Sequence, residues 1–296
     1  MGNKKIIFRG AATAIITPMK DGEIDYGSYR SLIEFQIENS IDAIVVCGTT
    51  GEASTLTDDE HKKMIDVTAE TVNGRVKVIA GAGSNDTAYA IELTKHCERA
   101  GVDAALHVTP YYNKTTQRGL VRHFCDIADS VNTPIILYNV PARTNLDIRP
   151  ETYKELSKHE NIVATKEAGG NMKAIAQTIR LCGGDLAVYS GNDEDTVPIL
   201  SLGGLGVISV LSNLVPKAVH DICALYFEGK VEESAKLHIQ YIDLVDALFC
   251  ETSPIPVKTA LAQMGLDSGE LRMPLVAMDE KNKNYLIEIL KKGGLI

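Results

Sequence analysis

The sequence lacks the features that mark disulfide-rich and metal-binding proteins. Its six cysteines are scattered singly, with no Cys-x-x-Cys pair, and there is no tryptophan. Single cysteines in a chain of 296 residues predict reduced, largely buried thiols, and we expect Cys47 to be buried rather than reactive. The seven histidines show neither His-x-His nor His-Glu-x-x-His spacing, so no metal site is predicted.

Excess positive charge and long apolar runs are also missing. The net charge is −9, and no basic stretch is dense enough to offset it, which argues against a nucleic-acid partner or an anionic membrane. No apolar run approaches the roughly 20 residues that cross a bilayer. The apolar stretch near the start is too short for a signal peptide. We therefore expect a cytoplasmic protein without nucleic-acid or membrane partners.

Eight short apolar runs alternate with amphipathic segments along most of the chain. Eight strand–helix repeats predict an α/β fold whose parallel sheet closes into a (β/α)₈ TIM barrel. A doubly wound open sheet is the alternative, but its first strand–helix turn should carry a glycine fingerprint that Thr17-Pro-Met-Lys-Asp-Gly22 lacks. The predicted strands are residues 12–18, 43–47, 76–81, 104–109, 134–140, 162–165, 186–189 and 207–211.

The pattern changes after Gly229, where three helical segments follow without strands, at residues 231–249, 256–264 and 280–292. We predict a barrel domain at residues 1–230 that carries the active site. Residues 231–296 would form a C-terminal helical extension packed on the barrel. Such an extension is more typical of packing or an oligomer surface than of chemistry.

Lys166 follows the sixth predicted strand directly, where a charged side chain has little reason to lie. Burial disfavours the charged form of an amine, and a neutral amine is the nucleophile that forms a Schiff base. The simpler interpretation is that the lysine reaches out to solvent from the strand end. The other strand ends decide between the two.

In parallel barrels the active site lies at the carboxyl ends of the strands. These ends lack the carboxylate pair of glycosidases and any histidine, which disfavours sugar hydrolysis and metal-assisted hydrolysis. They carry hydroxyls, glycines and one arginine, a set that favours chemistry on a carbonyl group. The residues are Thr49, Thr50, Tyr111, Tyr112, Tyr138, Arg143, Gly191 and Ser209.

Three of these residues suit particular tasks. Tyr138 lies one strand away from Lys166 and could relay protons. Thr50, in a glycine-rich turn, suits a small carboxylate, and Arg143 suits a second carboxylate through a two-pronged hydrogen bond. Each alone has an ordinary structural explanation, such as a core-edge tyrosine or a surface ion pair. Their position at successive strand ends favours function.

Four motifs resemble the signatures of the class I pyruvate aldolase family that contains the dihydrodipicolinate synthases and N-acetylneuraminate lyases. They are Gly48-Thr-Thr-Gly-Glu52, Tyr138-Asn-Val-Pro-Ala-Arg-Thr144, Lys166-Glu-Ala168 and Ser253-Pro-Ile-Pro-Val-Lys258. The resemblance covers essentially the whole chain.

The resemblance implies a reaction and a role for each residue. Lys166 would form an imine with pyruvate, without a cofactor, and Tyr138, Thr49 and Tyr112 would relay protons, with Tyr112 supplied by a neighbouring subunit. The pyruvate would condense with L-aspartate 4-semialdehyde to 4-hydroxy-tetrahydrodipicolinate, the first committed step towards diaminopimelate and lysine. The assembly would be a homotetramer, a dimer of dimers. Substrates would be held by Thr50, Arg143, Gly191 and Ile208.

Two alternatives stay open at this point. A sibling lyase, such as N-acetylneuraminate lyase or a 2-keto-3-deoxy sugar-acid aldolase, would share the lysine and the tyrosine. Such lyases generally lack the arginine of the Pro-x-Arg-Thr motif, so Arg143 favours the synthase. A more distant alternative is a non-catalytic barrel that only binds a small acid.

The resemblance also implies a possible allosteric pocket at a dimer interface, which binds inhibitory lysine in some relatives. Tyr89 stands where such pockets use a glutamate. Losing a carboxylate opposite an ammonium group removes a hydrogen bond worth about 1.5–3 kcal/mol, so we expect weak or absent inhibition by lysine. The matching positions are Ser54, Asp58, His61, Asn85, Tyr89 and Tyr111.

Overall fold

The computed structural model describes residues 4–296, and the first three residues of the predicted barrel domain lie outside the described residues. In chain order the strands are β1 (Gly10–Ala14), β2 (Met19–Lys20), β3 (Glu23–Ile24), β4 (Ala43–Val46), β5 (Lys77–Gly81), β6 (Ala104–Val108), β7 (Ile135–Asn139), β8 (Ile162–Glu167), β9 (Ala187–Ser190) and β10 (Gly206–Ser209).

Eight of these strands close into a barrel. β1 is followed around the barrel by β4, β5, β6, β7, β8, β9 and β10, which pairs with β1 again, and all these pairings are parallel. β2 and β3 form a small antiparallel pair outside it. The TIM barrel predicted from eight strand–helix repeats is therefore confirmed.

Helices follow the barrel strands and continue beyond them. They are α1 (Tyr26–Glu38), α2 (Asp58–Val72), α3 (Thr87–Ala100), α4 (Gln117–Ala128), α5 (Pro141–Thr144), α6 (Pro150–Leu156), α7 (Met172–Cys182), α8 (Thr196–Ser201), α9 (Pro216–Phe227), α10 (Val231–Gln240), α11 (Ile242–Leu248), α12 (Ile255–Gln263) and α13 (Glu280–Lys292). A capping box begins α2, since the side chains of Thr57 and Glu60 each accept a hydrogen bond from the other's backbone N–H. Within residues 4–296, no helix combines the length and hydropathy needed to cross a membrane.

Each predicted barrel strand differs from the observed strand at one end or both, and two of these differences matter for the site. The first barrel strand is Gly10–Ala14 rather than 12–18. Ile15 and Ile16 are buried like strand residues, but the ladder between β1 and β4 ends at the pair Ala14 and Val45. The sixth barrel strand continues to Glu167, so Lys166 lies within it rather than beyond it.

The C-terminal segment also differs from the prediction. Residues 231–249 form two helices that meet at Tyr241 rather than one. α10 buries only Ser234, whereas α11 buries four apolar side chains between Leu244 and Leu248. A single straight helix would leave the apolar side chains of α11 as exposed as those of α10, so the chain changes direction at Tyr241. No strand follows Ser209 in the described part of the chain, and the domain boundary at residue 230 stays a prediction.

Strand alternation decides which side chains enter the barrel. Ile136 and Tyr138 on β7, and Ala164 on β8, belong to one buried apolar cluster. Side chains two residues apart on a strand share a face, so Lys166 lies on the same face as Ala164. The amine and the tyrosine ring therefore enter the barrel interior from neighbouring strands.

Candidate active site

Lys166 and Tyr138 meet at the carboxyl ends of β8 and β7. The two residues are register partners, and the Lys166 Nζ lies 4.3 Å from the centroid of the Tyr138 ring. Only 7% of each residue is exposed. Lys166 does not reach out to solvent, so the simpler interpretation of this lysine was wrong.

Gly191 leaves room for the lysine side chain. A Cβ at this position would lie 3.1 Å from Lys166 Cε and 2.8 Å from Ala168 Cβ. The Gly191 N–H donates to Glu167 O at 2.6 Å, which joins the ends of β9 and β8. Ile208 on β10 is fully buried in the apolar cluster that contains Tyr138. Gly191 thus lies against the lysine side chain, whereas Ile208 packs in the apolar cluster of the barrel interior.

The turn at residues 48–52 follows β4 at the same rim. It is closed by two backbone hydrogen bonds, from Gly51 N to Gly48 O and from Glu52 N to Thr49 O, both 3.1 Å long. Thr50 is buried and Thr49 is exposed. The turn therefore presents one hydroxyl inside the protein and one at its surface.

A cavity of about 440 Å³ opens at this rim. Its wall contains catalytic candidates as well as residues of the predicted allosteric pocket, so the two predicted sites share one space. The wall does not include Lys166, Thr50, Gly191 or Ile208. The Lys166 amine lies over the ring of Tyr138, which is itself part of the wall. The wall includes Thr49, Tyr138 and Arg143 together with Cys47, Ser54, His61, Tyr89 and Tyr111.

Arg143 lies on the short helix α5, directly after β7. Its Nη2 donates to the backbone oxygen of Ser253 at 3.1 Å. The next residue, Thr144, accepts a hydrogen bond at its Oγ1 from the hydroxyl of Thr109, at 3.0 Å. Thr109 directly follows β6. The guanidinium group is therefore fixed at the cavity wall by the C-terminal segment.

Tyr112 does not reach the cavity of its own chain. It is 92% exposed, and its φ of +67° is rare for a bulky residue. Its neighbour Tyr111 accepts a hydrogen bond at its backbone oxygen from Asn85 Nδ2, at 3.1 Å. The Tyr112 ring is therefore exposed to solvent and does not line the cavity.

Two of the predicted allosteric residues, His61 and Tyr89, have hydrogen-bond partners within the chain. His61 Nε2 lies 2.7 Å from Gly81 O, and burial lowers the pKa of the imidazole. The Tyr89 hydroxyl donates to Asp58 Oδ1 at 3.0 Å. Cys47 is buried as expected, and its burial raises the pKa of the thiol. A raised pKa keeps a thiol protonated and unreactive.

Sequence reasoning missed a buried polar network behind Lys166. Glu167 Oε1 accepts hydrogen bonds from Tyr153 OH at 2.7 Å and from Asn139 Nδ2 at 2.8 Å. Asn139 Nδ2 also donates to Asp147 Oδ1 at 2.7 Å. Burial raises the pKa of Glu167 to about 7. Since neighbouring strand residues face opposite ways, the Lys-Glu pair could have been assigned one residue to each face.

A buried ion pair between Glu52 and Lys258 was also missed. The Lys258 Nζ lies 2.7 Å from Glu52 Oε1, and neither side chain is more than 1% exposed. The two residues are far apart in the sequence, so no local pattern could pair them. In the described part of the chain, no three His, Cys, Asp or Glu side chains form a group able to hold a metal ion.

The sequence profile of the Dihydrodipicolinate synthetase family matches residues 7–293. The chain belongs to this family. A 4-hydroxy-tetrahydrodipicolinate synthase from Acetivibrio thermocellus is 53% identical over 293 residues, which cover 99% of this chain and 100% of that protein.

Two solved structures are similar throughout. The chloride-inhibited dihydrodipicolinate synthase from Acinetobacter baumannii, complexed with pyruvate, has a TM-score of 0.95 and 44% identity, covering 97% of this chain and 99% of that one. The Cyanidioschyzon merolae protein with lysine bound has a TM-score of 0.95 and 42% identity, covering 99% and 100%. The similarity in fold thus covers the barrel and the C-terminal helices together.

Glu167 makes the stability of this family member depend on pH. Its carboxyl keeps a proton in the folded state between its ordinary pKa and about 7, whereas the unfolded chain loses it. Stability must therefore fall as pH rises through this window. Relative to Glu167→Gln, the wild-type free energy of unfolding should decrease by roughly 2–3 kcal/mol between about pH 5 and pH 8.

Urea denaturation of both proteins at several pH values measures this difference. Glu70→Gln is the matched control, because the Glu70 side chain is 72% exposed and its profile should run parallel to wild type. If the Glu167→Gln profile also ran parallel to wild type, the pH dependence would not come from Glu167, and this prediction would be wrong.

Proposed function

We propose that this protein is a lyase that condenses pyruvate with L-aspartate 4-semialdehyde to 4-hydroxy-tetrahydrodipicolinate. The observation that carries the proposal is the buried Lys166 amine over the Tyr138 ring, beside a cavity that Arg143 lines. The family relation over the whole chain favours this reaction over a sugar-acid lyase or a non-catalytic barrel. The reaction is the first committed step towards diaminopimelate and lysine, and the enzyme works in the cytoplasm.

The chemistry begins with a covalent bond between enzyme and substrate. The Lys166 nitrogen attacks C2 of pyruvate, and the carbonyl oxygen takes up protons and leaves as water to give an iminium ion. The iminium withdraws electrons from the adjacent methyl group, which loses a proton and becomes an enamine carbon nucleophile. This carbon attacks the aldehyde of the second substrate. The covalent imine does the work of a cofactor, so none is required.

Protons move at several of these steps, and Tyr138 is in place to carry them. Its ring lies under the amine, and the residue lines the cavity together with Thr49. We assign the relay to Tyr138, Thr49 and a Tyr112 from a second copy of the chain. A hydroxyl chain of this kind passes a proton to or from the reacting group without an ionised intermediate in water.

The two substrate carboxylates need different partners. The buried Thr50 and the backbone N–H groups of its turn suit the small pyruvate carboxylate. The Arg143 guanidinium suits the carboxylate of the semialdehyde, since a planar fork can donate two parallel hydrogen bonds. We assign to Gly191 and Ile208 contacts with the bound substrate through their backbone groups.

The exposure of Tyr112 supports an assembly of several copies. A 92% exposed tyrosine with positive φ costs stability in an isolated chain, unless a neighbour covers it. We propose a homotetramer, a dimer of dimers, in which each chain completes the relay of its partner.

The two-substrate reaction is tested by coupling product formation to the next reductase and following the loss of NADPH. Turnover should require both substrates. Pyruvate and borohydride should add a stable mass to the wild type that Lys166→Ala does not acquire. Arg143→Ala should keep the adduct but lose about ten- to hundredfold in kcat/KM for the semialdehyde, since it removes a charge-assisted hydrogen bond.

The other outcomes separate the alternatives. Pyruvate trapping without turnover would move the second substrate to a sugar acid. Absence of an adduct in the wild type would leave a barrel that binds small acids without catalysis.

Inhibition by lysine should be weak or absent. Where a glutamate would bind the ammonium group of the inhibitory lysine, this chain has Tyr89. The Tyr89 hydroxyl already donates its hydrogen bond to Asp58. Tyr89→Glu should lower the lysine concentration for half-inhibition by about tenfold or more, as a restored charge-assisted hydrogen bond predicts. Tyr89→Phe is the matched control and should not lower it. Half-inhibition of the unaltered enzyme by sub-millimolar lysine would contradict this prediction.

A further inference from the structure

The ion pair between Lys258 and Glu52 is the most deeply buried in the described part of the chain, with 0% and 1% of the side chains exposed. Removing two charges from water is costly, and apolar residues of similar volume often stabilise a fold equally well. The pair therefore calls for an explanation other than stability.

The acidic partner terminates the turn that carries Thr49 and Thr50. Glu52 has a φ of +54°, and Cys47, just before the turn, also has a φ of +54°. Residues other than glycine adopt this conformation only where the surrounding structure enforces it. The turn is thus strained at both ends, and it needs contacts from outside to keep its shape.

Lys258 supplies those contacts from helix α12. Besides Glu52, its Nζ donates to Thr17 O at 2.9 Å. The Thr17 hydroxyl in turn donates to Gly51 O at 2.7 Å. One ammonium group therefore holds both the last residue of the turn and the residue that binds its last glycine.

The second oxygen of Glu52 ties the turn to another C-terminal residue. Glu52 Oε2 accepts the backbone N–H of Arg272 at 3.1 Å. Just before α12, the Ser253 oxygen accepts from Arg143 Nη2 at 3.1 Å. The C-terminal extension thus contacts both elements to which the proposed function assigns a substrate carboxylate.

We propose that Lys258 and Glu52 are positioning residues, which hold the turn at residues 48–52 in the shape that binds the pyruvate carboxylate. This inference deepens the proposed function and rests on it. Neither side chain touches a substrate; they act through the backbone of the turn and through Thr49 and Thr50.

The test removes both charges together. Either single variant leaves one unpaired buried charge and should be poorly folded. The double variant Glu52→Gln/Lys258→Met keeps the side-chain volumes and removes the charges of both partners together. Its matched control is Lys217→Met/Asp221→Asn, which neutralises an exposed pair on α9.

Two readouts separate positioning from a structural role. Thermal unfolding should stay within a few degrees of wild type, while the pyruvate concentration that traps half of the protein with borohydride should rise about tenfold or more, as misplaced binding groups predict. The pyruvate KM should rise in parallel, while the semialdehyde KM changes less than twofold. The control should match wild type in every measurement.

Three results would overturn the inference. A double variant that traps half of its molecules at the wild-type pyruvate concentration would show that the pair does not shape the turn. A rise of both KM values together with a large loss of thermal stability would show a structural role only. A wild type that traps no pyruvate would overturn the proposed function, and the inference with it.

Discussion

The parallel pairing of β7 with β8 is the constraint on which the site depends. It sets Tyr138 beside Lys166, and barrel closure brings the carboxyl ends of the other strands to the same rim. The amine then lies among apolar side chains and the tyrosine ring, with little contact with water. Loops after other strands add groups at the same rim, among them the turn after β4 and the helix after β7, to each of which the proposed function assigns one carboxylate.

The same strands present different chemistry on their two faces. Inside the barrel lie Tyr138 and Lys166, the pair to which the proposed function assigns the reaction. Outside it, their neighbours Asn139 and Glu167 are hydrogen-bonded to each other, and Asn139 Oδ1 accepts from the Ile148 N–H at 3.1 Å. This outer network fixes the loop that follows Arg143. Contacts on the far side of the strands thus help to set the position of Arg143, to which the proposed function assigns a substrate carboxylate.

Much of this arrangement could be predicted from local sequence patterns, and its limits are physical. Apolar runs identified all eight barrel strands, and strand order placed Tyr138 next to Lys166. The end of β1 could not be predicted because Ile15 and Ile16 lie beyond the ladder but are as buried as the residues within it. The pair of Glu52 and Lys258 joins residues remote in sequence, and the extension was therefore assigned to packing or an oligomer surface rather than to chemistry. The change of direction at Tyr241 could not be predicted either, because it depends on how α11 packs against the rest of the protein.

A crystal structure of the protein with pyruvate would test the central claim most directly. The account predicts continuous electron density from Lys166 Nζ to C2 of pyruvate, with the carboxylate bound at the turn that carries Thr49 and Thr50. Pyruvate bound without a covalent link, or joined to a different lysine, would contradict it.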